Sequence, residues 1–196
     1  MARCSQDPLR QHYVMINSQR STLLAAFVLS FFALAPLACR DAGHAPPTVV
    51  YLVRHAEKAQ ASDNNPPLSE AGVRRAEALA QTLGDAGVSA IYTTQFKRTT
   101  DTAAPLAART GVIVTTLTVN HDDPRVYVEQ LARAITAKHG GGAVVVVSHS
   151  NTLPLIIERL SGKQVSAISD DEYFNLFIVT LPARGTAATV RARYGE

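Results

Sequence analysis

Unbroken apolar runs alternate along this chain with stretches whose apolar positions recur every three or four residues. Thr48 to Val53 (TVVYLV) is β-branched and uninterrupted by charge, the pattern of a strand covered on both faces of a parallel sheet. After a loop rich in Asn and Pro, Val73, Ala76, Ala80 and Leu83 fall at helical spacing, with Ser69 as the expected N-cap. The same reading predicts a strand over Val88 to Thr93, a helix over Arg98 to Arg109 and a strand over Val112 to Val119. Val128, Leu131, Ala132 and Ile135 then form an i, i+3, i+4, i+7 stripe. Ala143 to Val147 is a further apolar strand, and Leu153, Ile156, Ile157 and Leu160 repeat the stripe.

Four strand-then-helix units imply an α/β fold of three layers, α/β/α, with a mostly parallel sheet and right-handed crossovers. The tail differs. Tyr173 to Leu181 and Thr189 to Tyr194 read as two strands joined by a Pro/Gly turn, expected to be antiparallel. In the last of them Val190, Ala192 and Tyr194 alternate with Arg191 and Arg193, as on a sheet edge. Neither an internal repeat nor a second domain is apparent, so the folded unit is expected over 48–196.

Ahead of it, Leu23 to Cys39 (LLAAFVLSFFALAPLAC) carries no charge and lies between Arg20 and Arg40. It falls short of the roughly twenty apolar residues of a spanning helix and contains Pro36. A basic residue, an apolar core and then small residues make a secretory leader. Ala38-Cys39 resembles the lipobox of bacterial lipoproteins, which implies a lipidated Cys39 as mature N-terminus. Residues 1–39 are therefore read as leader, with Met15 as an alternative start, and 40–47 (RDAGHAPP) as a tether. The expectation is an exported protein, held on the periplasmic face of a bacterial membrane through Cys39 or released into the periplasm.

Charge follows from that cut. The full chain of 196 residues has 19 basic and 16 acidic side chains. Removing Arg3, Arg10, Arg20 and Asp7 leaves 16 and 15, so the net charge falls from +3 to +1. One unit of basic excess gives no reason to expect a nucleic-acid partner. No cysteine follows Cys39, so neither a disulfide nor a thiol site is expected in the domain. Oligomeric state is left open.

In open α/β sheets ligands bind beyond the carboxyl ends of the strands. At those ends stand Arg54-His55, the segment TTQFKR with Arg98, and Ser148-His149-Ser150-Asn151-Thr152. A cation in the first turn of a helix opposes the helix dipole, so Arg98 is badly placed unless an anion shares its site. Arg54 follows a buried strand and its guanidinium must find a partner. Phosphate meets both demands, since its oxygens match the arginine fork and a helix N-terminus.

These residues resemble a known family. Val50-x-Leu52-Val53-Arg54-His55-Ala56-Glu57-Lys58 resembles the Arg-His signature that opens the histidine phosphatase superfamily, the phosphoglycerate mutase-like fold. Pro67-Leu68-Ser69 with Gly72 is similar to its P-L-[ST]-x-x-G segment, and Thr93-Thr94 with Arg98 and Thr102-Ala103 to its S-x-x-x-R-x-x-x-T-A segment. Val146 to Thr152 is similar to its V-x-H-G-N-T segment. The resemblance implies a phosphomonoester hydrolase in which His55 becomes phosphorylated while Arg54, Arg98 and His149 hold the phosphoryl oxygens. It implies no metal and no cofactor. The leaving oxygen's proton is expected from Asp122 or Asp123 after the third strand, or from Glu57. The chain is too short for the long insertions of the mutases, and export favours a small phosphorylated substrate over a cytoplasmic phosphoprotein.

Three alternatives stay open: a phosphohistidine protein phosphatase, a non-catalytic anion-binding lipoprotein, and a metallohydrolase using His55, Glu57 and His149. His44, His121 and His139 are read as solvated or capping residues, and Asp170-Asp171-Glu172 as a charged loop that a cationic substrate group could use. Ser148 and Ser150 lack a G-x-S-x-G elbow, and there is no P-loop or dinucleotide fingerprint.

Overall fold

In a computed structural model, which describes residues 45–60, 64–120 and 122–195, the apolar runs form the strands β1 (Thr48–Arg54), β2 (Val88–Thr93), β3 (Val114–Thr116), β4 (Ala143–Ser148), β5 (Asn175–Leu181) and β6 (Ala188–Arg193). The helical stripes become α1 (Glu70–Leu83), α2 (Lys97–Thr110), α3 (Arg125–Lys138) and α4 (Leu153–Ser161). The leader, Met15, Cys39, His44 and His121 lie outside the described residues. No helix among the described residues is long and apolar enough to cross a membrane.

The strands make one sheet in the order β3-β2-β4-β1-β5-β6. β3, β2, β4 and β1 run parallel, while β5 and β6 add antiparallel. This is the expected three-layer α/β/α arrangement, and the pleat explains its two cores. Val144 and Val146 of β4 face one side, with Leu131, Ile135, Ile156 and Ile157 of α3 and α4. Val145 and Val147 face the other, with Leu79, Leu83, Ala103 and Leu106 of α1 and α2. A strand buried on both faces has no polar positions to alternate, which is why β4 reads AVVVVS.

Three local readings shift. The third strand is three residues long rather than running from Val112 to Val119. Beyond it, the Gln95 side chain takes over the pairing: its Oε1 accepts from Val119 N–H at 3.0 Å, and its Nε2 donates to Val119 O at 2.9 Å. Val119 is apolar because it is buried in the core, not because it pairs in the ladder. On α1, Val73 is exposed and Gly72 takes the inward face. A Cβ at Gly72 would run into the carbonyl of Glu57, so the helix can approach the loop after β1 only at a glycine. Ser69 does cap that helix, accepting from Gly72 N–H at 3.1 Å. Finally, Tyr173 lies before β5 rather than within it.

Candidate active site

β2, β4 and β1 are adjacent and parallel, so their carboxyl ends share one edge. Arg54 stands opposite Ser148, and Thr93 opposite Val147. His55 N–H donates to Ser148 O at 2.9 Å, extending the ladder one residue past β1. His55 and His149 therefore emerge side by side, with ring centroids 5.4 Å apart and planes at 63°. Thr94, just past β2, sets its hydroxyl 3.0 Å from His149 Nε2. Both imidazoles are buried.

His55 Nδ1 lies 2.8 Å from the carbonyl of Ala56. A carbonyl only accepts, so Nδ1 carries the proton and Nε2 keeps its lone pair. Burial pushes the pKa down to about 4; the Ala56 hydrogen bond opposes this, and the charges of Arg98, Arg54 and Lys58 add to it. The ring is thus neutral at neutral pH, a buried imidazole with a fixed tautomer.

Arg54 is also buried. Its Nη1 donates to the carbonyls of Ser169 at 2.9 Å and Asp170 at 3.0 Å, and its guanidinium lies 4.2 Å over the Tyr173 ring. The Asp170 carboxylate is 3.6 Å from Nη2 but fully exposed, so this ion pair contributes little. The Arg54 Nε–H is buried with no hydrogen-bond partner. Arg98, on the first turn of α2, stacks 4.3 Å over Phe96, whose edge meets His149 at 5.5 Å between centroids. Its pKa is lowered by burial and then by the like charge of Arg54. Thr102 joins the two halves: its hydroxyl accepts from Ala56 N–H at 2.9 Å and donates to the Arg98 carbonyl at 2.6 Å.

The acidic candidates are placed differently. Glu57 receives Arg75 Nε and Nη2 on its carboxylate at 2.8 to 3.0 Å. Burial is the largest influence and would raise its pKa, but the Arg75 hydrogen bonds, a backbone hydrogen bond of its own and the charges of Arg75 and Arg54 together hold the carboxyl below its ordinary range. Asp122 and Asp123 are exposed at the entry to α3, where Asp123 Oδ1 accepts from Arg125 N–H at 3.1 Å. Neither makes an interaction with Arg54, His55, Arg98 or His149. Among the described residues no group of three or more His, Cys, Asp or Glu side chains gathers where it could hold a metal ion.

Arg54, His55, Arg98 and His149 thus lie close to one another. Thr94 and Thr102 lie in a segment the sequence singled out, but their hydrogen bonds were not legible there. Tyr173 and Arg75 carried no signal at all: one depends on the antiparallel register of β5, the other on how α1 docks.

The guanidiniums of Arg54 and Arg98, close enough for one charge to perturb the other, a buried N–H without a hydrogen-bond partner and two buried imidazoles share one edge of the sheet. A sequence profile of the histidine phosphatase superfamily (branch 1) matches residues 50–123, a span that includes Arg54, His55 and Arg98 but ends before His149. Residues 50–123 thus match the histidine phosphatase superfamily, and the fold is phosphoglycerate mutase-like; together they support a phosphatase. Curated proteins gave no match. Among solved structures, mycobacterial glucosyl-3-phosphoglycerate phosphatase is similar at 15% identity and a TM-score of 0.57, over 76% of this chain and 99% of that one. The protein histidine phosphatase SixA, complexed with tungstate, is similar at 17% identity and a TM-score of 0.59, over 74% and 96%. A second mycobacterial protein, described as hydrolase 2, has 17% identity and a TM-score of 0.58, over 76% and 91%. At these identities the likeness is one of fold.

Proposed function

We propose that this protein is a phosphatase that hydrolyses phosphomonoesters of small molecules through a phosphohistidine at Nε2 of His55. The lone pair of Nε2 attacks phosphorus in line, a P–N bond forms, the bond to the leaving oxygen breaks, and that oxygen takes up a proton. Water then attacks the phosphohistidine, the P–N bond breaks, and inorganic phosphate leaves. One hard displacement becomes two easier ones. Arg54, Arg98 and His149 hold the three remaining oxygens, where fixed donors offset the charge of the transition state.

The observation that carries this reading is the Arg54 guanidinium, buried with an unpartnered Nε–H and close enough to Arg98 to perturb it. Two confined cations repel unless an anion lies between them. Beside them, His55 presents a neutral ring whose other nitrogen is already committed. Glu57, bound to Arg75, suits the role of proton donor poorly; Asp122 and Asp123, on the segment entering α3, are the carboxylates left for it. No step draws on a metal. The leader read from Leu23 to Cys39 supports an exported, lipid-anchored location, and with it a small metabolite rather than a phosphoprotein as substrate.

The test is hydrolysis of p-nitrophenyl phosphate with chelator present, together with trapping of radiolabelled phosphate at alkaline pH and mapping of the label. Wild type is expected to turn over and to label on His55, and His55→Ala to lose roughly three orders of magnitude or more. Label on another residue, or activity abolished by the chelator, overturns the mechanism.

A further inference from the structure

Thr94 has no place in the chemistry above, yet its hydroxyl is wholly buried against His149. Its Oγ1 lies 3.0 Å from His149 Nε2 and 2.9 Å from Thr99 Oγ1. Thr99 Oγ1 in turn lies 2.7 Å from the Phe96 carbonyl and 3.0 Å from the Thr94 carbonyl.

Each hydroxyl has one proton and each carbonyl none, so the protons can be counted. Both carbonyls can only accept, and the Thr99 proton goes to one of them. Thr99 Oγ1 then meets Thr94 as an acceptor, which takes the Thr94 proton. With that proton used, Thr94 Oγ1 can only accept from His149, whose Nε2 must carry hydrogen. A Thr94 hydroxyl donating to His149 would leave either the two hydroxyl oxygens facing each other at 2.9 Å with no proton between them or, with Thr99 donating to Thr94, Thr99 Oγ1 facing the Phe96 carbonyl at 2.7 Å with none, in a pocket where Thr94, Thr99 and His149 are all buried.

We propose that Thr94, held in turn by Thr99, is a positioning residue that fixes His149 as its Nε2–H tautomer and sets the angle of its ring against His55. Which nitrogen of a histidine is protonated is decided by the partner of the other. With Nε2 donating to Thr94, that nitrogen is not available to an oxyanion, and Nδ1 can donate to one only in the imidazolium form. The consequence for turnover rests on the phosphoryl-binding role of His149 given above. The tautomer itself does not.

The experiment is nitrogen NMR of the imidazoles in the full chain, without substrate, combined with steady-state kinetics on p-nitrophenyl phosphate. Wild type is expected to show neutral His149 with hydrogen on Nε2. Thr94→Val keeps the shape and removes the acceptor, so the tautomer is expected to become mixed. Its kcat should fall roughly tenfold to a hundredfold, as when a residue orienting a histidine is removed, with KM little changed. Thr94→Ser should restore both readouts. Hydrogen on Nδ1 of neutral His149 in wild type, or an unchanged tautomer in Thr94→Val, overturns the proposal. The expected tautomer combined with full activity in His149→Ala would leave this assignment standing and remove the phosphoryl-binding role instead.

Discussion

The guanidinium of Arg54 lies over the ring of Tyr173, 4.2 Å from its centroid, although 119 positions separate them in sequence. The antiparallel register of β1 and β5 brings them together: Val53 pairs with Leu176, so the residues just before β5 fall beside the end of β1. The Tyr173 hydroxyl is 3.5 Å from Nη2, at the edge of hydrogen-bond range, so the ring face and not the hydroxyl is the contact that matters. A cation over a partly desolvated ring is worth about 1 to 2 kcal/mol. Tyr173→Phe should therefore behave as wild type, whereas Tyr173→Ala should weaken binding of phosphomonoesters by about tenfold. Comparing KM for the two variants checks this.

Acidity should affect turnover through His55. An ordinary histidine is half protonated at its usual value of 6.5, but burial keeps this ring neutral until the pH falls to about 4. Since kcat/KM reports the free enzyme, its acid limb should fall through about pH 4 rather than 6.5, once the substrate's own ionisation near about pH 6 is allowed for. Stability follows the same protons. Between those two values the unfolded chain binds a proton that the folded one refuses, so stability falls as pH falls. The His55 contribution is at most about 3 kcal/mol, and denaturant melts of His55→Asn should show a correspondingly flatter acid branch.

The sequence carries the parts of this design that are local. β1 and β4 are legible because strands covered on both faces must be apolar throughout. The four convergent side chains are legible because strand ends in such a sheet face one crevice. What could not be read depends on pairing between distant segments. Gln95 replaces a strand partner for Val119, Tyr173 reaches Arg54 through the β1–β5 register, and Thr94 reaches His149 because β2 lies next to β4. Periodicity assigned Val73 to the core of α1, but the close approach of that helix to Glu57 requires the glycine one position earlier.

Arg98 should trade stability against function. In the folded protein it is brought near Arg54, and the two cations repel unless an anion lies between them. Arg98→Ala should leave the protein without phosphate as stable as wild type or more so, while removing most of the thermal stabilisation that added phosphate gives wild type. Thermal melts with and without inorganic phosphate decide it. A variant that loses stability without phosphate and keeps the full phosphate-induced rise would contradict the anion-site reading.

Glu57 and Arg75 make the last prediction. The Arg75 guanidinium grips the Glu57 carboxylate through two nitrogens while its Nη1 donates to the Gly195 carbonyl at 2.6 Å. One side chain thereby joins the segment after His55, helix α1 and the end of β6. Both partners are largely buried, with 22% and 16% of the side chain exposed for Glu57 and Arg75. Glu57→Gln should lower stability by about 2 kcal/mol near neutral pH, as loss of a charged hydrogen bond does. Because the carboxyl is held below its ordinary value of 4.5, its contribution is complete above that pH and fades as the pH drops further, so melts of wild type and variant should converge in acid. Turnover gives the second readout. If Glu57 braces the nucleophile's loop and donates no proton, kcat in Glu57→Gln falls modestly and the limbs of the pH profile stay in place; loss of the basic limb would make Glu57 the acid.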